Sequence, residues 1–243
     1  MDGGAGSERD SGWVGAAPRQ GQPEPSVGSE GYGPHIQRAH ASGDPERSWA
    51  ATRWLLACKT NADAAQVVER SRAQLSGDHH QAVTEMLERL HADMRRCQTV
   101  TEAEYALEPE LAWAAMRGGI PGAAAMAAMA ARAQPLDGRK RQELLAALQH
   151  DALAGDERAQ IVLASPTASR QWGLGAIEQR AWRLVIQGSA TAHELTGSHA
   201  VREFVAAVAN ALPAGLTEGE EARARELAER WATAAAAAKH GKR

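Results

Sequence analysis

Five side chains form the densest set of metal-ligand types in the chain: His79, His80, Glu85, Glu88 and His91. A zinc site carried by one helix needs ligands four residues apart, as in His-Glu-x-x-His, because only that spacing aims two imidazoles at one point. His80 and His91 are eleven residues apart, which is three helical turns and about 16 Å along the axis. They share a face but not an ion, and His79-His80 after Gly77-Asp78 reads as a polar helix start. The expectation is no bound metal.

Two further pairs, His150-Asp151 and His193-Glu194, set an imidazole beside a carboxylate, the combination that tunes a general base. Neighbours in a helix point about 100° apart, so adjacency in sequence argues against contact. Ser198-His199 has no third group to orient the imidazole, and no Gly-x-Ser-x-Gly elbow is present. Gly173-Leu174-Gly175 lacks both the third glycine and the preceding strand of a dinucleotide site. With no phosphate loop either, the expectation is no catalytic residue and no cofactor. The basic runs Arg139-Lys140-Arg141 and Lys239 to Arg243 are short, and residues 49–243 carry 23 basic and 23 acidic side chains. A balanced body offers no footprint for nucleic acid.

Behind these residues stands a chain of 243 residues with 27 basic and 30 acidic side chains, a formal net charge of −3. Its aromatics are 7 Trp, 2 Tyr and 1 Phe, and alanine dominates. That composition argues against a β-sandwich or barrel, which needs β-branched and aromatic strands. No run of 18 apolar residues free of charge occurs, so no membrane span is expected. Residues 1–43, rich in Gly, Pro and Ser, read as a disordered lead.

From residue 44 onward helix starts are legible at Asp44-Pro45-Glu46, Asp78, Glu108-Pro109-Glu110, Asp137, Ser165-Pro166 and Thr217 with Glu220. Stops fall at Gly77, Gly118-Gly119, Gly155, Gly188, Gly197 and Gly215. The result is an all-α chain of short helices. In residues 44–104, Trp49, Trp54, Leu55 and Leu56 recur at helical spacing, as do Val83, Met86, Leu87, Leu90 and Met94. This segment reads as an N-terminal helical cap whose aromatics belong to a core. Residues 105–243 carry a repeated phrase, Ala-x-x-x-Gly-x-x-x-Ala, as Ala115, Gly119 and Ala123, then with Asp151 in first place as Gly155 and Ala159, and with Leu184 in first place as Gly188 and Ala192. The glycines are 36 and 33 residues apart, the period of stacked helix hairpins. Each glycine is expected to end one helix left-handed, and each alanine to let the next helix approach closely.

Gly155-Asp-Glu-Arg158-Ala159-Gln160, Leu163-Ala164 and the run Leu111-Ala-Trp113-Ala114-Ala115 resemble the Sel-like helical repeats, relatives of the tetratricopeptide repeats. Leu216 to Trp231 resembles the closing helix of such arrays, so the likeness covers about residues 105–238. The Gly-x-Gly-Val turn between units is missing, unless Gly173-Leu174-Gly175 is its displaced remnant. The competing architecture is an unrelated Ala-rich bundle. The resemblance implies an irregular α-solenoid that holds a protein or peptide on a curved helix surface. Arg158 and Gln160, next to an exposed turn, are the candidate partner-binding residues. The functional expectation is a non-catalytic interaction scaffold or adaptor of bacterial type. The alternatives are an all-α enzyme or enzyme inhibitor with a site assembled from sequence-distant residues, and a structural bundle of the cell envelope.

Cys58 and Cys97 are the only cysteines, 39 residues apart in the cap segment. Two readings stand: a single bridge, worth about 4 kcal/mol by loop closure, or two buried free thiols. Bacterial envelope proteins with helical repeats often contain such a pair, which points to the periplasm or envelope. The opening MDGGAGSERD lacks the features of a secretory signal and points by default to the cytoplasm, unless the true start lies upstream. Nothing in the sequence fixes the partner or the oligomeric state.

Overall fold

A computed structural model describes residues 27, 29–72, 78–131, 136–188 and 215–240, and every regular element in them is a helix. The eleven described helices are α1 Tyr32–Ser42, α2 Pro45–Arg72, α3 Asp78–Cys97, α4 Glu102–Ala106, α5 Glu108–Arg117, α6 Ala123–Ala130, α7 Gly138–Leu153, α8 Glu157–Ala164, α9 Ala168–Trp172, α10 Ala176–Gly188 and α11 Glu218–His240. No described helix is long and apolar enough to cross a membrane.

Local chemistry sets most of the helix starts. The carboxylate of Asp44 accepts the Arg47 N–H at 2.8 Å, that of Asp137 the Lys140 N–H at 2.8 Å, and that of Asp156 the Ala159 N–H at 2.7 Å. Each satisfies an amide that the first helical turn leaves without a partner. Thr217 and Glu220 form the expected reciprocal box, and Thr101 with Glu104 forms a second that the sequence reading passed over. Pro109 occupies the first turn of α5, where its missing N–H costs nothing.

One boundary requires correction. The lead expected to run through residue 43 gives way at Tyr32 to α1, which buries Tyr32, Ile36 and Ala39. Gly33 and Pro34 hide that spacing in sequence, and the helix is held instead by what it packs on. Tyr32 stacks on Trp54 of α2 with ring centroids 5.2 Å apart, and its hydroxyl donates to Asp93 of α3 at 2.7 Å. Burial, and then the Asp93 hydrogen bond, pushes the Tyr32 phenol up to about 12, so it stays a donor.

Two cores result. The first joins α1, the N-terminal half of α2 and Leu111 of α5 around Ile36, Trp54 and Leu55, with Cys58 and Cys97 at its edge. The second runs from α5 through α11 and is built largely of alanine, with Leu144, Leu148, Leu163 and Trp182 as its larger members. α5 serves both, presenting Leu111 to the first and Ala112, Ala115 and Met116 to the second. α6 contacts α5, α7 and α8, and its residues Ala123 to Ala128 are all buried.

Cys58 and Cys97 are joined in a disulfide, with Cα atoms 5.5 Å apart. Beyond this bridge α2 and α3 continue together as an antiparallel hairpin. α3 packs on α2 and, near its C-terminal end, on α1. From Cys58 to Arg72 the arm extends about 21 Å at 1.5 Å per residue. Its seam runs through Cys58, Asn61, Ala65 and Val68 on α2 and Val83, Leu87, Leu90, Met94 and Cys97 on α3, an alternating three- and four-residue spacing. Met86, expected on that seam, lies off it and is 44% exposed.

Candidate functional site

The residues singled out by the repeated phrase converge at two helix junctions, and these have one geometry. At the end of α5, Gly119 takes φ +70°, its N–H bonds to the Met116 carbonyl at 2.9 Å, and the Ile120 N–H bonds to the Ala115 carbonyl at 3.1 Å. At the end of α7, Gly155 takes φ +88°, its N–H bonds to the Ala152 carbonyl at 3.1 Å, and the Asp156 N–H bonds to the Asp151 carbonyl at 2.9 Å. Both are six-to-one and five-to-two closures around a left-handed residue, which only glycine adopts without strain. The alanine four positions on is the first residue of α6 in one case (Ala123) and the third of α8 in the other (Ala159), and both are fully buried.

The third copy of the phrase does not repeat this geometry. Gly188 is the last residue of α10 and does not take a positive φ, so it ends no helix left-handed. Ala192 lies outside the described residues, as do His193-Glu194, Ser198-His199 and Gly197.

Asp151 ties the two junctions together. Its carboxylate, 8% exposed, turns away from its own helix and accepts the N–H groups of Gly122 at 3.1 Å and Ala124 at 3.4 Å, capping α6 from 27 to 29 residues away. His150, its neighbour in sequence, is exposed. Burial raises the Asp151 carboxyl above its ordinary range; the Ala124 amide opposes this, Asp156 adds to it, and Gly122 and His150 oppose it.

A raised native value means the folded chain keeps this proton to higher pH than the unfolded chain does. The stability that follows is present below the ordinary carboxylate range and is lost as pH rises through the native value. Asp151→Asn keeps an acceptor and removes the charge. The stability of the wild type relative to Asp151→Asn, measured by urea unfolding, should therefore fall between about pH 4 and about pH 7. Asp151→Ala, which leaves both amides without an acceptor, should cost about 1–3 kcal/mol at either pH. A wild-type-to-Asn difference that does not vary with pH would remove the buried charge from this account.

Gln160 was expected beside an exposed turn, but the structure buries it. It is 5% exposed, and its side-chain amide donates to the Ala152 carbonyl at 3.0 Å. There it gives a second donor to a carbonyl that also accepts the Gly155 N–H. Arg158, two residues earlier, is exposed. The end of α8 is closed in the same manner from α10: Gln179 donates to the Ser165 carbonyl at 2.6 Å and Arg183 to the Ala164 carbonyl at 2.9 Å, both side chains buried. Desolvation lowers the Arg183 guanidinium below its usual value, with Arg180 adding to the effect. Sequence reading missed Asp151, Gln179 and Arg183 as elements of the junctions. Their signal was a polar residue on an otherwise apolar helix face.

α11 is fastened to this assembly by Arg180, which grips Glu221 at 2.7 and 3.0 Å, and by Trp231 stacked on Trp182 with centroids 4.3 Å apart. The Arg180 hydrogen bonds hold the Glu221 carboxyl below its usual range. The histidine set remains dispersed. His80, Glu85, Glu88 and His91 stay exposed along α3, the side chain of His79 is outside the described residues, and no three His, Cys, Asp or Glu side chains gather as metal ligands among the described residues. Gly173-Leu174-Gly175 forms the short connection before α10, where the Gly175 N–H donates to Glu178 at 3.1 Å.

No family model, no curated protein and no solved structure matches this chain.

Proposed function

We propose that this protein is a non-catalytic interaction scaffold, an irregular array of Sel-like helix hairpins that holds a protein or peptide on helix surfaces. The observation that carries the reading is the pair of equivalent junctions: Gly119 and Gly155, 36 residues apart in sequence, close α5 and α7 with the same hydrogen-bond pattern and the same left-handed turn. Recurrence of one supersecondary unit at that period is how hairpin arrays are built. Packing between successive helices, α5 on α6, α6 on α7, α7 on α8 and α10 on α11, agrees with it. The polar residues of the junctions are occupied in closing helix ends, as Asp151, Gln160, Gln179 and Arg183 show. That leaves exposed residues such as Arg158 for a partner. The disulfide supports an oxidising compartment, in keeping with a periplasmic or envelope location.

Native mass spectrometry on the full chain recovered from its own host tests this. A stoichiometric protein adduct, weakened at least about tenfold by Arg158→Glu, is the expected result. A partner-free chain retaining a metal or a small molecule would overturn it in favour of an all-α enzyme.

A further inference from the structure

We propose that one flank of the α2/α3 arm, centred on Val67 and Met86, is the surface through which two copies of this chain pair antiparallel about a two-fold axis. Two of the three large exposed apolar side chains among the described residues are Val67, 55% exposed, and Met86, 44% exposed. The bridge fixes how they lie relative to each other. Counting outward from Cys58 and Cys97 in an antiparallel pair sets Ala65 level with Leu90 and Val68 level with Leu87. Residues that precede two facing seam residues turn to the same flank, because each is rotated about 100° backward in a helix of opposite direction. Val67 precedes Val68 and Met86 precedes Leu87, so the two share one flank and lie about 3 Å apart along the arm. Ala64 and Ala82 lie beside them at neighbouring turns of the same flank.

The other flank differs in character. The residues that follow the seam positions are Lys59, Ala62, Gln66 and Glu69 on α2 and Thr84, Glu88, His91 and Arg95 on α3. Away from its base, where the other described helices pack on it, the arm thus carries Ala64, Val67, Ala82 and Met86 on one flank, with Thr60 and Arg89 among them, and Ala62 alone as an apolar residue on the other.

Charge complementarity identifies the occupant. Asp63 lies four residues before Val67 and Arg70 three after it, while Glu85 lies one before Met86 and Arg89 three after it. All four are exposed. Turning a second copy end over end about an axis that crosses the arm near Val67 and Met86 brings Asp63 opposite the second copy's Arg70 and Glu85 opposite its Arg89. The same turn brings Val67 and Met86 each within about 3 Å, along the arm, of its own equivalent, as a two-fold interface requires. The two bodies then sit at opposite ends of the paired arms. Rim charges of this kind set register more than affinity, and a patch of this size makes a weak, reversible dimer.

Sedimentation equilibrium of the full oxidised chain between about 1 and about 100 µM should show a monomer–dimer equilibrium. Met86→Glu with Val67→Glu should weaken dimerisation at least about tenfold while leaving the far-ultraviolet circular dichroism and the bridge intact, since both side chains stand off the seam. Asp63→Arg should weaken it by setting like charges together, and adding Arg70→Asp should restore it. A chain that stays monomeric over that range overturns the proposal. So does a dimer indifferent to the Met86 and Val67 changes, or a charge swap that fails to restore pairing. Partner capture by the repeat body is read separately, through Arg158, so the failure of one reading leaves the other standing.

Discussion

Reducing the Cys58–Cys97 bridge, or replacing both cysteines with serine, should lower the stability of the chain by about 4 kcal/mol, the loop-closure entropy returned to the unfolded chain by a 39-residue separation. For a chain of this length that corresponds to a fall in melting temperature of about 8–16 °C. The loss should also be uneven. Beyond the bridge the arm has one seam, in which Ala65 is small and the buried side-chain nitrogen of Asn61 has no hydrogen-bond partner among the described residues. Such a seam contributes little packing, and isolated helices of this length are marginal in water. Amides of α3 from residue 80 to residue 90 should lose hydrogen-exchange protection first, while those of α6 and α7, set in the alanine-rich core, keep theirs. Equal melting temperatures with and without reductant would show that the packing of α2 on α3 is sufficient by itself.

Ala159→Leu is the second large effect. Ala159 is fully buried at the third position of α8, directly after the cap formed by Asp156 and within the core shared with α6, α7 and α10. Three added carbons have no space there, and overpacking of this kind costs about 1–3 kcal/mol. Arg158→Leu, one residue earlier on the exposed side of the same helix, should change stability by no more than about 0.5 kcal/mol. Gly155→Ala isolates the backbone contribution: a residue with a Cβ must hold the left-handed φ of +88°, at about 1 kcal/mol. Thermal unfolding of the three variants under one set of conditions separates side-chain volume from backbone conformation. An Ala159→Leu protein that melts with the wild type would remove the close approach at the junction, and with it the repeat reading.

The two effects lie in different parts of the molecule. The bridge restrains an arm that depends on one neighbouring helix, whereas Ala159 sits where several helices meet. That contrast follows from composition. An alanine-rich core gains its stability from close backbone approach, so it is intolerant of added volume. A two-helix arm has too little surface to bury and relies on a covalent restraint.

The sequence by itself determined the all-helical class and most of the helix ends. Asp44, Asp137 and the Thr217–Glu220 pair cap their helices through amides at most three residues away, and Gly119 and Gly155 close theirs through carbonyls no more than five residues back. These interactions are local, so their residues are legible without knowledge of the fold. Only the tertiary structure decided the rest. α1 forms over Tyr32–Ser42, in a stretch read as part of the lead, because Tyr32 and Ile36 find Trp54 and Leu55 to pack against. Gln160 turns inward because the Ala152 carbonyl at the end of α7 takes its amide as a second donor, and Asp151 turns inward because the amides of Gly122 and Ala124 reach it from another helix. The choice between a bridge and two thiols at Cys58 and Cys97 likewise depended on α2 packing antiparallel to α3. In each case the deciding partner is distant in sequence, and a buried polar or reactive group takes its role from whatever the packing brings within hydrogen-bond or bonding distance.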